Sequence, residues 1–102
     1  MKHVVQHPLT KADAKRAVEA AWASYSQRLT KYEPKLQWLD EDRARVDFTM
    51  RGRHFQGTFR IADRSLELEL DVPLLLRPFV KPATLAIDRE VDKWVKHVQS
   101  QP

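Results

Sequence analysis

The four histidines, His3, His7, His54 and His97, titrate nearest to neutral pH, so acid–base or metal chemistry would begin with them. His3 and His7 are four residues apart. The segment around them is predicted to be a strand, where this separation amounts to about 13 Å, too far to share a metal ion. His54 and His97 have no carboxylate or second histidine at ligand spacing in the sequence. We therefore expect exposed or hydrogen-bonded histidines and no metal or other cofactor.

Nucleophilic catalysis requires a serine, threonine or lysine held beside a base, usually on a strained turn. None of the four serines lies in such a sequence context; they are Ser24, Ser26, Ser65 and Ser100. Cysteine is absent, which excludes disulfides, thiolate metal sites and a cysteine nucleophile. Neither of the two glycines, Gly52 and Gly57, opens a helix, so a phosphate-binding loop is not expected. The sequence predicts a protein that is not an enzyme.

Basic side chains suggest a different kind of site. The net charge of +4 and the isoelectric point of about 9.6 favour contact with an anionic partner. A predicted basic patch on or beside the middle hairpins consists of Arg45, Arg51, Arg53 and Arg60. Single-stranded nucleic acid also needs exposed rings for stacking, whereas Phe48, Phe55 and Phe59 are predicted to point inward. Nucleic-acid binding is therefore the less favoured alternative.

The apolar segment from Val72 to Val80, VPLLLRPFV, precedes the last predicted helix. Either it packs into the core as a connection, or part of it is exposed, because three consecutive leucines outside a regular element can be only partly buried. An exposed patch would act as a dimer interface, a lipid or polymer surface, or a ligand groove. The predicted apolar contact surface consists of Leu74, Leu75, Leu76, Arg77, Phe79 and Val80.

Periodicity predicts the elements that position these residues. A strand over Lys2–His7 ends at Pro8, and Thr10 with Asp13 forms a capping-box-like start of a helix. The helix has one apolar stripe and is predicted to continue until Glu33-Pro34 stops it. A second helix is predicted from about residue 80 to residue 98.

Between the helices the hydrophobic period is two, which predicts four strands. The predicted turns are the Asp40-Glu41-Asp42 cluster, a type II′ hairpin loop at Gly52-Arg53, and Asp63-Arg64. With these loops, Phe48 lies opposite Gly57, Leu70 flanks the glycine on its other side, and Arg60 pairs with Glu67. Val72 is the last inward position of the final strand.

The predicted order is β-α-β-β-β-β-α, an α+β fold with a meandering antiparallel sheet and both helices packed on its apolar face. The chain has 102 residues, of which 42% are hydrophobic and 31% charged, so we expect a single domain over residues 1–98 and a frayed tail over 99–102. The sequence shows no signal peptide and no apolar stretch long enough to cross a bilayer, which predicts a cytoplasmic protein.

One set of residues has a characteristic order and spacing: His7, Leu9, Ala14, Ala17, Tyr32, Trp38, Phe48, Gly52, Gly57, Val72-Pro73-Leu74-Leu75-Leu76, Ile87 and Val91. In this order and spacing, the sequence resembles the family of polyhydroxyalkanoic acid system proteins, also called polyhydroxyalkanoate granule region proteins. The resemblance covers about His7 to Val95.

The resemblance implies a non-enzymatic accessory or binding role in bacteria that store polyhydroxyalkanoate, and it supplies no catalytic residues. The expected contact is made through the apolar segment, with a second copy of the chain, with the granule surface or with granule proteins. One alternative is a protein that encloses a small apolar ligand, such as an acyl chain, between the sheet and the final helix. The other is a nucleic-acid-binding domain.

Overall fold

An antiparallel sheet forms one layer of the molecule, and two helices pack against one of its faces. The computed structural model describes residues 1–71 and 74–100. Over these residues the elements are β1 (Lys2–Gln6), α1 (Lys11–Arg28), a first 3₁₀ helix (Thr30–Tyr32), β2 (Lys35–Trp38), β3 (Arg43–Met50), β4 (Arg53–Ala62), β5 (Ser65–Leu70), a second 3₁₀ helix (Leu74–Phe79) and α2 (Val80–Gln99). The strand order is β1-β5-β4-β3-β2. The predicted α+β fold and element order are confirmed.

Strands β2 to β5 form a continuous meander, and β1 completes the sheet at the edge of β5. Val5 on β1 lies opposite Leu66 on β5, in antiparallel register. Because β1 and β2 are at opposite edges, α1 must carry the chain from one edge of the sheet to the other. This crossing places α1 over the middle strands and leaves α2 to pack beside β1.

Helix α1 begins where the sequence predicts. The Thr10 side chain accepts a hydrogen bond from the Asp13 amide at 3.3 Å, as an N-cap residue does. The Lys11 amide also donates to the Asp63 carboxylate at 2.8 Å. Since Asp63 belongs to the turn between β4 and β5, this bond ties the start of the helix to the sheet.

The end of α1 differs from the prediction by about one turn. The helix ends at Arg28, because Leu29 leaves the helical region with φ of −114° and ψ of 33°. A short 3₁₀ turn follows, and the Glu33 amide closes it by donating to the carbonyl of Thr30. Glu33 has a φ of 50°, so the chain has already turned before Pro34 is reached.

The hairpin between β3 and β4 was predicted with the wrong loop. Met50 lies opposite Arg53, so the two loop residues are Arg51 and Gly52. Both have positive φ, 53° and 76°, which is the type I′ geometry rather than type II′. Glycine therefore occupies the second central position of the loop, and the left-handed conformation falls on Arg51 as well.

This loop shifts the predicted register of β3 against β4 by two residues. Phe48 lies opposite Phe55, and Gly57 lies opposite Val46 instead of Phe48. A shift of two residues keeps every side chain on its predicted face, so the inward pattern survives. The other neighbour of Gly57 is Leu70, as predicted. A Cβ atom on Gly57 would lie 2.8 Å from the Leu70 Cδ1 and 3.0 Å from the Glu69 carbonyl oxygen. The leucine side chain can move aside but the backbone oxygen cannot do so easily, which favours glycine at this position.

Two further register predictions are confirmed. Ala62 lies opposite Ser65, so Asp63 and Arg64 form the turn between β4 and β5. Arg60 lies opposite Glu67 on the outer face of the sheet.

The core lies between the inner face of the sheet and the two helices. Ala44 on β3 and Ile61 on β4 are its most enclosed residues, at 0% and 1% exposure. The buried cluster comprises Leu9, Ala14, Ala17, Ala44, Phe59, Ile61, Val95 and Val98. Of the three phenylalanines predicted to point inward, Phe55 and Phe59 are buried and Phe48 is half-buried.

Candidate functional site

An apolar cavity of about 470 Å³ lies between the sheet and the two helices. Its floor is formed by Phe59, Leu66 and Leu68 of β4 and β5, and its walls by α1 and α2. Well-packed interiors contain few voids larger than a water molecule, whereas small-molecule sites commonly enclose 300–1,000 Å³. The volume and the apolar lining are therefore within the range of small-molecule sites.

The cavity exists because α1 presents small side chains to the sheet. Ala14, Ala17 and Ala21 lie on one face of the helix and all line the cavity. The larger side chains of Val18 and Trp22 also line this space. A leucine or phenylalanine in place of the half-buried Ala21 would enter it.

The cavity opens to solvent between the end of α1 and the first turns of α2. Leu29 and Ala86 both line the cavity and are both exposed, so they form its rim. Leu29 is 40% exposed, so its side chain is in contact with solvent as well as with the cavity. A ligand has apolar access to the cavity here.

A chain of hydrogen bonds joins the two helices along the cavity wall. The Trp94 indole Nε1 donates to the hydroxyl of Tyr25 at 2.8 Å. The Tyr25 hydroxyl in turn donates to the Glu90 carboxylate. The Tyr25 and Trp94 rings also pack edge to face, with centroids 6.1 Å apart. All three residues line the cavity, so this chain fixes the separation of α1 and α2 at that level.

The tyrosine of this chain should make stability fall at alkaline pH. Burial, then the hydrogen bond to Glu90, raises the pKa of Tyr25 from 10.0 to about 12. The unfolded chain therefore loses this proton at lower pH than the folded chain, so the stabilisation is lost as pH rises from 10 to 12. Urea unfolding at several pH values should show a steeper decline for wild type than for Tyr25→Phe. Parallel declines would contradict this account.

His7 is a further polar residue that lines the cavity. The Leu9 amide donates to the His7 Nδ1 at 3.1 Å, across the turn between β1 and α1. The His7 Nε2 is buried and has no hydrogen-bond partner. Buried polar atoms are nearly always paired, so an unpaired nitrogen here is informative. His7 lines both the apolar cavity and a second cavity beside β1 and α2.

The other described histidine contacts are structural. His3 on β1 lies 2.8 Å from the Asp88 carboxylate of α2, and His54 lies 2.8 Å from the Asp47 carboxylate. These contacts confirm the hydrogen-bonded histidines that the sequence predicts. Within residues 1–71 and 74–100, no group of three or more acidic or histidine side chains could hold a metal ion.

The predicted apolar contact surface is described in part. Leu76 and Val80 are half-buried, Arg77 is exposed, and Phe79 is 63% exposed. The side chains of Leu74 and Leu75 and the predicted inward position of Val72 lie outside the described residues. Leu74–Phe79 forms the second 3₁₀ helix, which the sequence did not indicate, and Val80 begins α2, as predicted.

The residues of the predicted basic patch fall in two places. Arg45 and Arg60 lie on the outer face of the sheet, on neighbouring strands. Arg51 is in the hairpin loop. Arg53 is two residues before Phe55 on β4, so it lies on the same face of the sheet as Phe55, the face that carries the helices.

The charge of the outer face is partly compensated. Arg45 donates two hydrogen bonds of 3.1 Å to the Asp47 carboxylate. This contact, followed by the one with His54, holds the pKa of Asp47 below its ordinary value. Arg43, directly opposite Arg60, is an arginine that the predicted patch omitted, and it pairs with Asp40 at 2.8 Å.

The fold and the site define a class of protein, namely a small α+β domain with an apolar cavity between an antiparallel sheet and two helices. The family model of polyhydroxyalkanoic acid system proteins matches residues 3–95. The chain belongs to this family, which confirms the resemblance in the sequence and connects the protein with the polyhydroxyalkanoate system. Comparisons with curated proteins and with solved structures give no match. No helix in the described part of the chain has the length and apolarity to cross a membrane.

Proposed function

We propose that the protein is a non-enzymatic component of the polyhydroxyalkanoate system that binds a small apolar ligand, such as an acyl chain, in the cavity between the sheet and the helices. The observation that carries this proposal is the cavity of about 470 Å³ with its almost wholly apolar lining. Family membership supports the class of ligand, because the storage polymer and its precursors consist of acyl units.

The lining supports binding rather than turnover. Within the part of the chain that the structure describes, the residues that line the cavity include no serine, threonine, cysteine or lysine, the side chains that most often act as nucleophiles. Its acidic group, Glu90, is already engaged by the Tyr25 hydroxyl. These features favour a site that holds a ligand by excluding water.

Native mass spectrometry tests the proposal directly. Protein purified without detergent from polyhydroxyalkanoate-accumulating cells should carry an apolar molecule that extraction with organic solvent removes. The stripped protein should then take up a neutral apolar fluorophore such as N-phenyl-1-naphthylamine. A protein that is ligand-free from every source, and that gives no fluorescence increase with the fluorophore, would refute the proposal.

We also propose, as a second candidate, that the predicted apolar contact surface binds the granule. The observation that favours it is the exposure of Phe79, at 63%, in the same 3₁₀ helix as the exposed, cationic Arg77. A segment with a large exposed ring and a cation is suited to an apolar surface with anionic groups.

Phe79→Asp should reduce the fraction of protein that sediments with isolated polyhydroxyalkanoate granules by severalfold, because it replaces the exposed ring with a charge. Leu39→Asp is the matched control. Leu39 is 50% exposed and follows β2, at the opposite end of the sheet from the second 3₁₀ helix. If both variants lose sedimentation equally, or neither does, Phe79 is not the contact.

A further inference from the structure

The hydrogen bond from Leu9 determines which proton His7 carries. An amide N–H can donate to the His7 Nδ1 only if that nitrogen has a free lone pair, and the contact is 3.1 Å. The ring proton of the neutral imidazole must then be on Nε2. The buried and unpartnered atom is therefore a donor, and it requires an acceptor.

The cavity lining also limits the charge of the ligand. Among the described residues that line the cavity there is no lysine or arginine, and the carboxylate among them is Glu90. A carboxylate held inside the cavity at His7 would have no cation among the described lining residues to pair with and would be repelled by Glu90, at a large cost in free energy. A ligand with an uncharged acceptor avoids both penalties.

We infer that the cavity takes a neutral acyl ester, whose carbonyl oxygen accepts a hydrogen bond from the His7 Nε2 while its chain lies between Ala17, Ala21 and the sheet. This inference rests on the proposed function and specifies its ligand. Less than 1 Å² of Nε2 is accessible in the empty cavity, so binding includes a small movement of the wall that brings the two atoms together.

Two substitutions separate the two roles of the His7 ring. His7→Asn places an acceptor where Nδ1 lies, so it retains the partner of the Leu9 amide and removes the Nε2 donor. His7→Gln places an amide N–H near the position of Nε2, so it retains the donor and loses the contact with Leu9. A structural role at the turn would be disturbed by His7→Gln, and a role in ligand recognition by His7→Asn.

Three probes, tested by displacement of N-phenyl-1-naphthylamine, examine the inference. They are methyl octanoate, decane and octanoate. Decane has nearly the same length as methyl octanoate but no hydrogen-bond acceptor. His7→Asn should weaken methyl octanoate binding about three- to tenfold, the size expected for one hydrogen bond, while decane binding changes less than about twofold. His7→Gln should bind the ester within about twofold of wild type. Octanoate at pH 8 should bind wild type at least about tenfold more weakly than the ester.

The outcomes distinguish this inference from the proposed function. Equal weakening of ester and decane by His7→Asn would show that His7 only shapes the cavity, and would overturn the inference while leaving the cavity as a ligand site. If octanoate bound as tightly as the ester, the inference that the ligand is uncharged would be overturned. Displacement by none of the three probes would refute the cavity as an acyl site altogether.

Discussion

Ala21→Phe should abolish binding of apolar ligands, with an affinity loss of at least about tenfold, and should leave the protein folded. Ala21 lines the cavity from α1 and is half-buried, so a benzyl group at this position enters the space that the ligand would occupy. Filling a void of this kind commonly leaves stability unchanged or raises it by up to about 2 kcal/mol. The measurements are N-phenyl-1-naphthylamine binding and urea unfolding of the same preparation.

Ala23→Phe provides the matched control for this experiment. Ala23 lies on the same helix but is exposed, so its substitution has the same cost in helix propensity, about 0.5 kcal/mol, without reaching the cavity. The control should bind the fluorophore like wild type. Loss of binding in both variants, or in neither, would contradict a ligand site beneath α1.

Ile61→Ala should cause the largest loss of stability among single substitutions in the sheet. Ile61 is 1% exposed and belongs to the buried cluster between the sheet and the helices. Removing its side chain deletes buried apolar area and leaves a void, at a cost of about 3 kcal/mol. For a chain of this size the melting temperature should fall by at least about 12 °C, measured by circular dichroism.

Val4→Ala is the comparison for this loss. Val4 lies on the outer face of β1 and is 46% exposed, so its truncation should lower the free energy of unfolding by less than about 1 kcal/mol. A similar melting temperature for Ile61→Ala and Val4→Ala would mean that the inner face of the sheet is not the core.

The fold could be predicted from the sequence because hydrophobic alternation and helix caps are local signals. The alternation in β3, β4 and β5 determined which side chains point inward, and this prediction was correct even where the loop was wrong. The loop error arose because glycine suits either of two positions in a two-residue turn. The turn type depends on the positive φ of Arg51, and an arginine in a sequence does not predict a positive φ.

The candidate site was harder to predict, because a cavity is defined by missing volume. Ala14, Ala17 and Ala21 were correctly assigned to the inner stripe of α1, where alanine counts as apolar in the same way as leucine. Only the packing of α2 opposite them shows that nothing fills the space. His7 and Glu90 are separated by most of the chain, so their common position on one cavity wall depends on tertiary structure.

The outermost strands of the sheet have a consequence for how the protein behaves at high concentration. Unpaired strand edges are where folded chains join into aggregates, and long apolar edges carry the greatest risk. Here both edges are short: β1 has five residues and β2 has four. Each strand begins with a lysine. Pro8 follows the end of β1, and Pro34 immediately precedes β2. The sheet is therefore poorly suited to extension by a second chain, so self-association through continuous strand pairing is disfavoured in a crowded cell.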